Sequence, residues 1–163
     1  MKTLTKELGD GVAKIAQKID LLDVRIVEMS ARLTAAPANQ VQVEIDATAA
    51  PGKVEGGFVV EGSFAVRLRP KAAAKGGAAG DAFFEAKYRA GAMYRFPGEL
   101  PPAEVLVAFA QTNGLLHLWP YFRAFVQDAC GRMGIARVVI PAFRAVKYAP
   151  AEAGPAGEKR SAQ

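Results

Sequence analysis

Hydrophobic residues recur at two different spacings along this chain, and the change of spacing divides it. Near the start they recur every three or four positions, which predicts an amphipathic helix over residues 1–20. The stripe consists of Leu4, Leu8, Val12, Ile15, Ile19 and Leu22. This helix either packs on the core or is an arm that docks a partner, and the sequence leaves both readings open.

From residue 25 onwards the apolar positions alternate with polar ones. This period of two is typical of antiparallel strands with one solvated face. It predicts strands at 25–33, 41–46, 57–70 and 81–96, joined by turns rich in Ala, Pro and Gly. Four strands in series favour a meander, and the connection at 70–80 is expected to be mobile.

Beyond residue 96 the pattern becomes helical. A proline pair, Glu104 and a stop at Asn113-Gly114 predict a short helix over 102–111. A longer helix is predicted from Trp119 to Met133, with Pro120 in its first turn and Gly134 after its end. The run 136–148 is apolar and extended and is predicted as a final strand, while 149–163 is predicted as a disordered tail.

The longer helix has two distinct faces. One arc is rich in aromatic and aliphatic residues and can cover a sheet. The opposite arc carries Ala124, Gln127, Asp128 and Gly131, where small residues would allow a second backbone to approach. This arc is either an ordinary solvated face or an interface between subunits.

Length, charge and cysteine content exclude several classes of protein. With 163 residues, a net charge of +5 and a single cysteine, Cys130, the chain is expected to be one basic domain without an internal disulfide, as suits a reducing cytoplasm. The first 20 residues lack the apolar run of a signal peptide, and no stretch is long and apolar enough to span a membrane.

Residues for chemistry are scarce. The chain has one histidine, His117, and three widely separated serines, so no nucleophile and base are paired in sequence. The segment "KGGAAG" lacks the strand–loop–helix context of a phosphate-binding loop. We therefore expect a protein that is not an enzyme and that has no metal site and no cofactor.

The segments "AGAMYRFPGE" and "HLWPYFRAFVQDACGRMGIARVVIPAF", in this order after four strands, resemble the SecB family of export chaperones. In that family a Pro-Tyr pair opens the long helix, a glycine closes it and a segment with Pro and Phe follows. The resemblance covers about residues 22–148, so a SecB-like domain is expected at 21–148, after the N-terminal helix. It implies an α+β fold, a four-stranded antiparallel sheet with helices on one face, assembled as a dimer of dimers.

The family's members are ATP-independent holdases that bind non-native polypeptides along apolar grooves. By position, the resemblance assigns client binding to one strand and to the crossover segment after the sheet. The residues are Val41, Val43, Ile45, Met93, Tyr94, Phe96 and Leu100.

Typical members are acidic and offer that charge to the SecA motor. This chain is basic, with Arg67, Arg69, Lys87 and Arg89 where the acidic surface is expected, which argues against a SecA partner. SecB-like chaperones dedicated to an antitoxin depart from the typical members in such ways, so export and antitoxin roles both stay open.

Two other classes remain as alternatives. A purely structural subunit is one. The other is a single-stranded nucleic-acid-binding sheet, in which Phe83, Phe84, Tyr88 and Tyr94 would stack bases. Acidic residues interleave with the basic ones, which makes nucleic acid the weaker reading.

Overall fold

The protein consists of one sheet, a helical layer and an N-terminal helix. The computed structural model describes residues 5–71, 80–136 and 138–143. The elements are α1 Lys6–Ala16, β1 Asp20–Leu33, β2 Val41–Val54, β3 Gly57–Pro70, β4 Phe84–Arg95, α2 Ala103–Phe109, a π-helical segment Ala110–Gly114, and α3 Leu115–Arg132.

The four strands form one antiparallel sheet in the order β1-β4-β3-β2. The predicted meander is therefore wrong for β1, which pairs with β4 and not with β2. The strand β2 is longer than predicted, because residues 49–54 continue to pair with β3 instead of forming a turn. The turn is confined to Glu55 and Gly56, where Gly56 adopts a φ of 73°. Pro51 is tolerated within β2 because this strand lies at the edge of the sheet.

The helices pack on one face of the sheet, so the predicted α+β fold is confirmed. Gly62 of β3 leaves room for Leu118 of α3, and Gly114 lies directly over Val60. Next to these close approaches, the rings of Phe64 and Phe122 stack at 4.9 Å. The core is therefore an aromatic layer between the two central strands and α3.

The N-terminal helix α1 lies against α2. Thr5 caps it by accepting a hydrogen bond from the backbone N–H of Leu8, and Val12 and Ile15 are buried. Gly11 faces the side chain of Val105 so closely that a β-carbon there would be 2.9 Å from it. The helix thus packs on the body of the domain. It ends at Ala16, and Leu22 of the predicted stripe lies in β1 instead. Leu4 lies outside the described residues.

The prediction of two separate helices with a stop at Asn113-Gly114 was wrong. The chain continues from α2 through the π-helical segment into α3 without leaving helical conformation. Pro120 is consequently inside α3 rather than in its first turn. Pro120 leaves the carbonyl of Leu116 without a donor. Both residues are exposed, so water can hydrate that carbonyl.

The prediction of a final strand was also wrong for residues 138–143, which form no strand. Pro141 has no N–H to give to a ladder, and its carbonyl accepts a hydrogen bond from the indole of Trp119 at 3.0 Å. Ile140 is fully buried, and the ring of Phe143 lies 5.2 Å from Trp119. The rest of that run, most of the 70–80 connection and the 149–163 tail lie outside the described residues.

Gly57→Ala is expected to destabilise the fold strongly. A β-carbon at Gly57 would lie 1.9 Å from the backbone oxygen of Tyr94 in the paired strand, which no side-chain rotation relieves. We expect the free energy of unfolding in urea to fall by about 3 kcal/mol. Gly91→Ala is the matched control within β4, since its β-carbon makes only an ordinary contact at 3.5 Å, and its effect should stay within about 0.5 kcal/mol. Equal effects of the two changes would contradict the pairing of Gly57 with the end of β4.

Candidate functional site

The face of the sheet opposite to the helices, here called the outer face, carries Arg67, Arg69 and Arg89. Each of these basic residues is paired with an acidic residue. Arg67 contacts Asp46 at 3.0 Å and Arg69 contacts Glu44 at 3.1 Å, both across β2 and β3. Across β1 and β4, Arg89 lies 3.5 Å from Glu28. Arg32 also donates to Glu85, and this hydrogen bond lowers the pKa of that carboxyl. The outer face therefore presents alternating charges and not a basic stripe.

The helix side of the sheet holds the first part of the predicted client site. Val41, Val43 and Ile45 pair with Pro70, Leu68 and Val66, which share that face. All three are half-buried at the edge of the core. Phe64 pairs with Ala47, two residues further along β2, and lies 6.0 Å from Trp119. On its other side, Trp119 packs against the ring of Phe143, 5.2 Å away.

The second part of the predicted client site lies at the opposite end of the sheet. Ile45 is level with Ala86 of β4 through the register of the strands, whereas Tyr94 is eight residues further along. That separation is about 27 Å along the strand. The seven predicted residues therefore do not form one short site, and their client-binding role stays a prediction.

The crossover residues themselves differ in accessibility. Met93 is half-buried on the outer face, opposite to the helices, while Tyr94 and Phe96 are buried. Leu100 is half-buried and packs against the core. Of these four residues, Leu100 alone is both on the crossover segment beyond β4 and partly accessible.

Tyr94 is fixed in the core by aromatic contacts and one hydrogen bond. It stacks on Phe58 at 5.0 Å and meets Phe109 edge-on at 5.4 Å. Burial raises its pKa well above the usual range, so the phenol keeps its proton and can donate it to Nδ1 of His117, 2.9 Å away. Burial also lowers the pKa of His117. Both groups are thus neutral partners where β4 meets α3.

Sequence reasoning missed an apolar surface that lies on β1. Six large apolar residues of this strand are exposed: Leu21, Leu22, Ile26, Val27, Met29 and Leu33. Four of them share the helix side of the sheet, because they pair with buried residues of β4. The alternation in 25–33 predicts the strand and its apolar face. The sequence does not reveal that β1 is an edge strand that α3 leaves uncovered.

Between β1 and α3 runs an apolar groove of about 610 Å³. Ile26, Met29 and Ala31 form one wall, Tyr121 and Phe125 belong to the other, and Tyr88 lies at its floor. Two of the residues predicted for a subunit interface, Ala124 and Asp128, also line this groove. The other two, Gln127 and Gly131, line a smaller hollow of about 260 Å³. All four are at least partly exposed.

The aromatic residues proposed to stack bases are not available to do so. Phe83, Phe84, Tyr88 and Tyr94 are at most 1% exposed. The nucleic-acid reading depended on these rings lying on an open basic sheet, and the structure contradicts both conditions.

The described residues contain no group of three or more His, Cys, Asp or Glu side chains placed to hold a metal ion. Within residues 5–71, 80–136 and 138–143, no helix combines the length and the apolar character that crossing a membrane requires.

Stability is expected to depend on pH through His117, the single histidine. Its folded pKa lies below the ordinary value of 6.5, so the unfolded chain binds the proton more tightly. Stability should therefore be complete above pH 6.5, fall as the pH drops below it, and level off once the folded imidazole is protonated. Urea unfolding at about pH 7.5 and about pH 5.5 tests this, with His117→Gln expected to remove the difference. An NMR titration that places the imidazole pKa at or above 6.5 would contradict the burial of this ring.

Comparison with known proteins places this geometry in a known fold. No family model matches the chain. No curated protein has a matching sequence. Among solved structures, the chain is similar to the SecB-like chaperone Rv1957 of Mycobacterium tuberculosis, solved in complex with a ChAD peptide from the Rv1956 HigA1 antitoxin. The TM-score is 0.73 at 22% identity, covering 86% of this chain and 100% of the other. The resemblance in the sequence is therefore confirmed in the fold: this chain has the fold of a SecB-like chaperone.

Proposed function

We propose that this protein is an ATP-independent chaperone that holds apolar, extended segments of a non-native polypeptide. The observation that carries the proposal is a SecB-like fold whose sheet keeps apolar side chains accessible on the helix side, at both edges of the helical layer. Burying such side chains against a client contributes roughly 25 cal/mol per Å² of apolar area.

The client surface that we propose begins at Val41, Val43 and Ile45. These side chains alternate along an edge strand, so an extended segment lying beside β2 could place every second side chain against them. Shallow apolar contacts of this kind tolerate many client sequences, because they demand no fixed pattern of hydrogen bonds.

Among possible clients, an antitoxin segment is favoured over a general export substrate. The similar structure holds a peptide from an antitoxin. The outer face supports the same choice, because its acids Glu44, Asp46 and Glu85 are matched by arginines and leave no acidic surface for a basic tail of SecA. We propose that the chaperone works in the cytoplasm without SecA.

We further propose a homo-tetramer built as a dimer of dimers, in which the exposed arc of α3 is one contact. Its members are Ala124, Gln127, Asp128 and Gly131. Gly131 supports this, since a β-carbon there would meet nothing within 4 Å in the described residues. Packing within the described part of one chain does not require a glycine at this position, but a glycine there leaves room for a neighbouring helix.

The combined change Val41→Ser, Val43→Ser and Ile45→Ser is expected to abolish client holding. It removes the apolar side chains along β2, so client binding should weaken at least about tenfold. The measurement is light scattering from a urea-unfolded test protein diluted into buffer without ATP, with and without the chaperone.

The matched control is Gln42→Ser, Glu44→Ser and Asp46→Ser, which alters the outer face of the same strand and loses only exposed or half-exposed ion pairs. Circular dichroism and urea unfolding check that both variants fold; if the apolar triple variant unfolds, the single change Val41→Ser takes its place. A folded apolar variant that suppresses aggregation as well as the control would exclude this surface.

Gly131→Leu is expected to weaken the contact through α3 and to leave dimers. The side chain has free space within the described part of one chain, so folding should not suffer, whereas a second helix packed there would be displaced. Light scattering coupled to size-exclusion chromatography measures the mass, with Ala136→Leu as an exposed control beyond the helix. An unchanged tetramer would show that this arc is solvated.

A further inference from the structure

Arg123 of α3 carries a positive charge that the described residues leave without an acidic partner. Its side chain is half-buried, and its Nε is enclosed yet finds no hydrogen-bond acceptor among these residues. None of the ion pairs in the described part of the chain includes Arg123. A partly buried charge in this state costs stability until an anionic group pairs with it.

The C-terminal segment 138–143 accounts for the burial of this nitrogen. Trp119, one helical turn before Arg123, donates its indole N–H to the carbonyl of Pro141. Gln127, one turn after Arg123, lines a hollow together with the beginning of the same segment. Residues four apart share one face of a helix, so the segment runs along the flank of α3 that carries Arg123.

This flank is turned away from β1. The α3 wall of the groove beside β1 includes Tyr121 and Phe125. Each of these residues is two positions from Arg123, which places it about 160° around the helix. Trp119, in contrast, is only about 40° from Arg123 and lies 6.0 Å from Phe64, the β3 residue that pairs with Ala47 of β2. Arg123 is therefore on the β2 side of α3.

Along the sheet, Arg123 is level with one end of the proposed client surface. The helix α3 follows β3 in step, with one helical turn for every two strand residues. The contacts that show this are Gly114 with Val60, Leu118 with Gly62, and Phe122 with Phe64. Arg123 comes directly after Phe122, and Ile45 is two residues from the β2 partner of Phe64.

We infer that Arg123 binds an acidic side chain of the client, so that this chaperone selects extended apolar segments that carry an Asp or a Glu. The inference rests on the proposed client surface on β2 and adds a charge requirement to it. A carboxylate suits the site, because a guanidinium can donate two parallel hydrogen bonds to its two oxygens.

Acids of the neighbouring elements are already used elsewhere. Glu44 and Asp46 of β2 pair with arginines on the outer face of the sheet. Asp128 of α3 pairs with Arg132 at 2.8 Å. The client surface itself consists of apolar side chains that accept many sequences, whereas one fixed charge beside them discriminates between those sequences.

The test compares two labelled peptides by fluorescence anisotropy. In both, Leu and Ser alternate and the C-terminus is amidated, so that no terminal carboxylate competes. One Ser is replaced by Glu in the first peptide and by Gln in the second, at each position in turn. We expect the wild type to bind the best Glu peptide about tenfold more tightly than its Gln counterpart.

Arg123→Met identifies the residue responsible for this preference. Methionine keeps an unbranched apolar stem and removes the charge, so the ratio of the two affinities should fall to about one. Binding of the Gln peptide should change less than about twofold. Circular dichroism and urea unfolding check the fold, and Arg123→Gln takes its place if the methionine variant does not fold.

Arg132→Met is the matched control. It removes the same charge from the same helix, but its guanidinium is exposed and already paired with Asp128. The preference for the Glu peptide should persist in this variant, which separates a contact at Arg123 from a general effect of net charge.

Failure of the inference and failure of the proposed function give different results. Equal binding of the Glu and Gln peptides by the wild type overturns the inference and leaves the chaperone function standing. A wild type that binds neither peptide contradicts the proposed function, and the inference fails with it. A preference that persists in folded Arg123→Met also overturns the inference; if the assembly then dissociates, the partner of Arg123 is an acid of a second copy.

Discussion

The packing of α3 against β3 determines how the rest of the molecule is arranged. Gly62 allows Leu118 to approach the sheet, and the Phe64–Phe122 stack beside it fixes the helix over the central strands. A helix with its side chains is about 10 Å wide, whereas four strands span about 19 Å. One helix placed over the centre cannot cover both edges, so the apolar side chains at the edges stay accessible.

The two edges of the sheet differ in how far the rest of the described chain covers their apolar side chains. At β2 the side chains of Val41, Val43 and Ile45 are half-buried at the edge of the core. At β1 nothing in the described residues covers the strand edge, and the apolar side chains are more exposed. A half-covered apolar surface suits varied client segments, because shallow apolar contacts demand no fixed pattern of hydrogen bonds.

Much of the fold could be predicted from the sequence because each local pattern agreed with its surroundings. The strand 57–70 was predicted with its observed bounds, since apolar and polar residues alternate there without interruption. The apolar arc of α3 was predicted well because its buried residues, Leu118 and Phe122 among them, follow helical spacing. The extension of β2 through Pro51 was not predicted, because whether a proline ends a strand depends on whether that strand lies at an edge.

The candidate site was harder to predict than the fold. Val41 and Tyr94 fit one site only if strand register is ignored, and register places them at opposite ends of the sheet. The importance of Ile26 and Met29 depends on strand order, which a single sequence does not reveal. The contact between Phe143 and Trp119 was not predicted, because the segment that contains Phe143 was predicted to be a strand.

Amide hydrogen exchange of the full chain, with and without an unfolded client and without ATP, tests the proposed chaperone function most directly. We expect the client to slow exchange in residues 41–46, where the edge strand meets it. A client that is present in excess and changes exchange nowhere along β2 would contradict the proposed client surface.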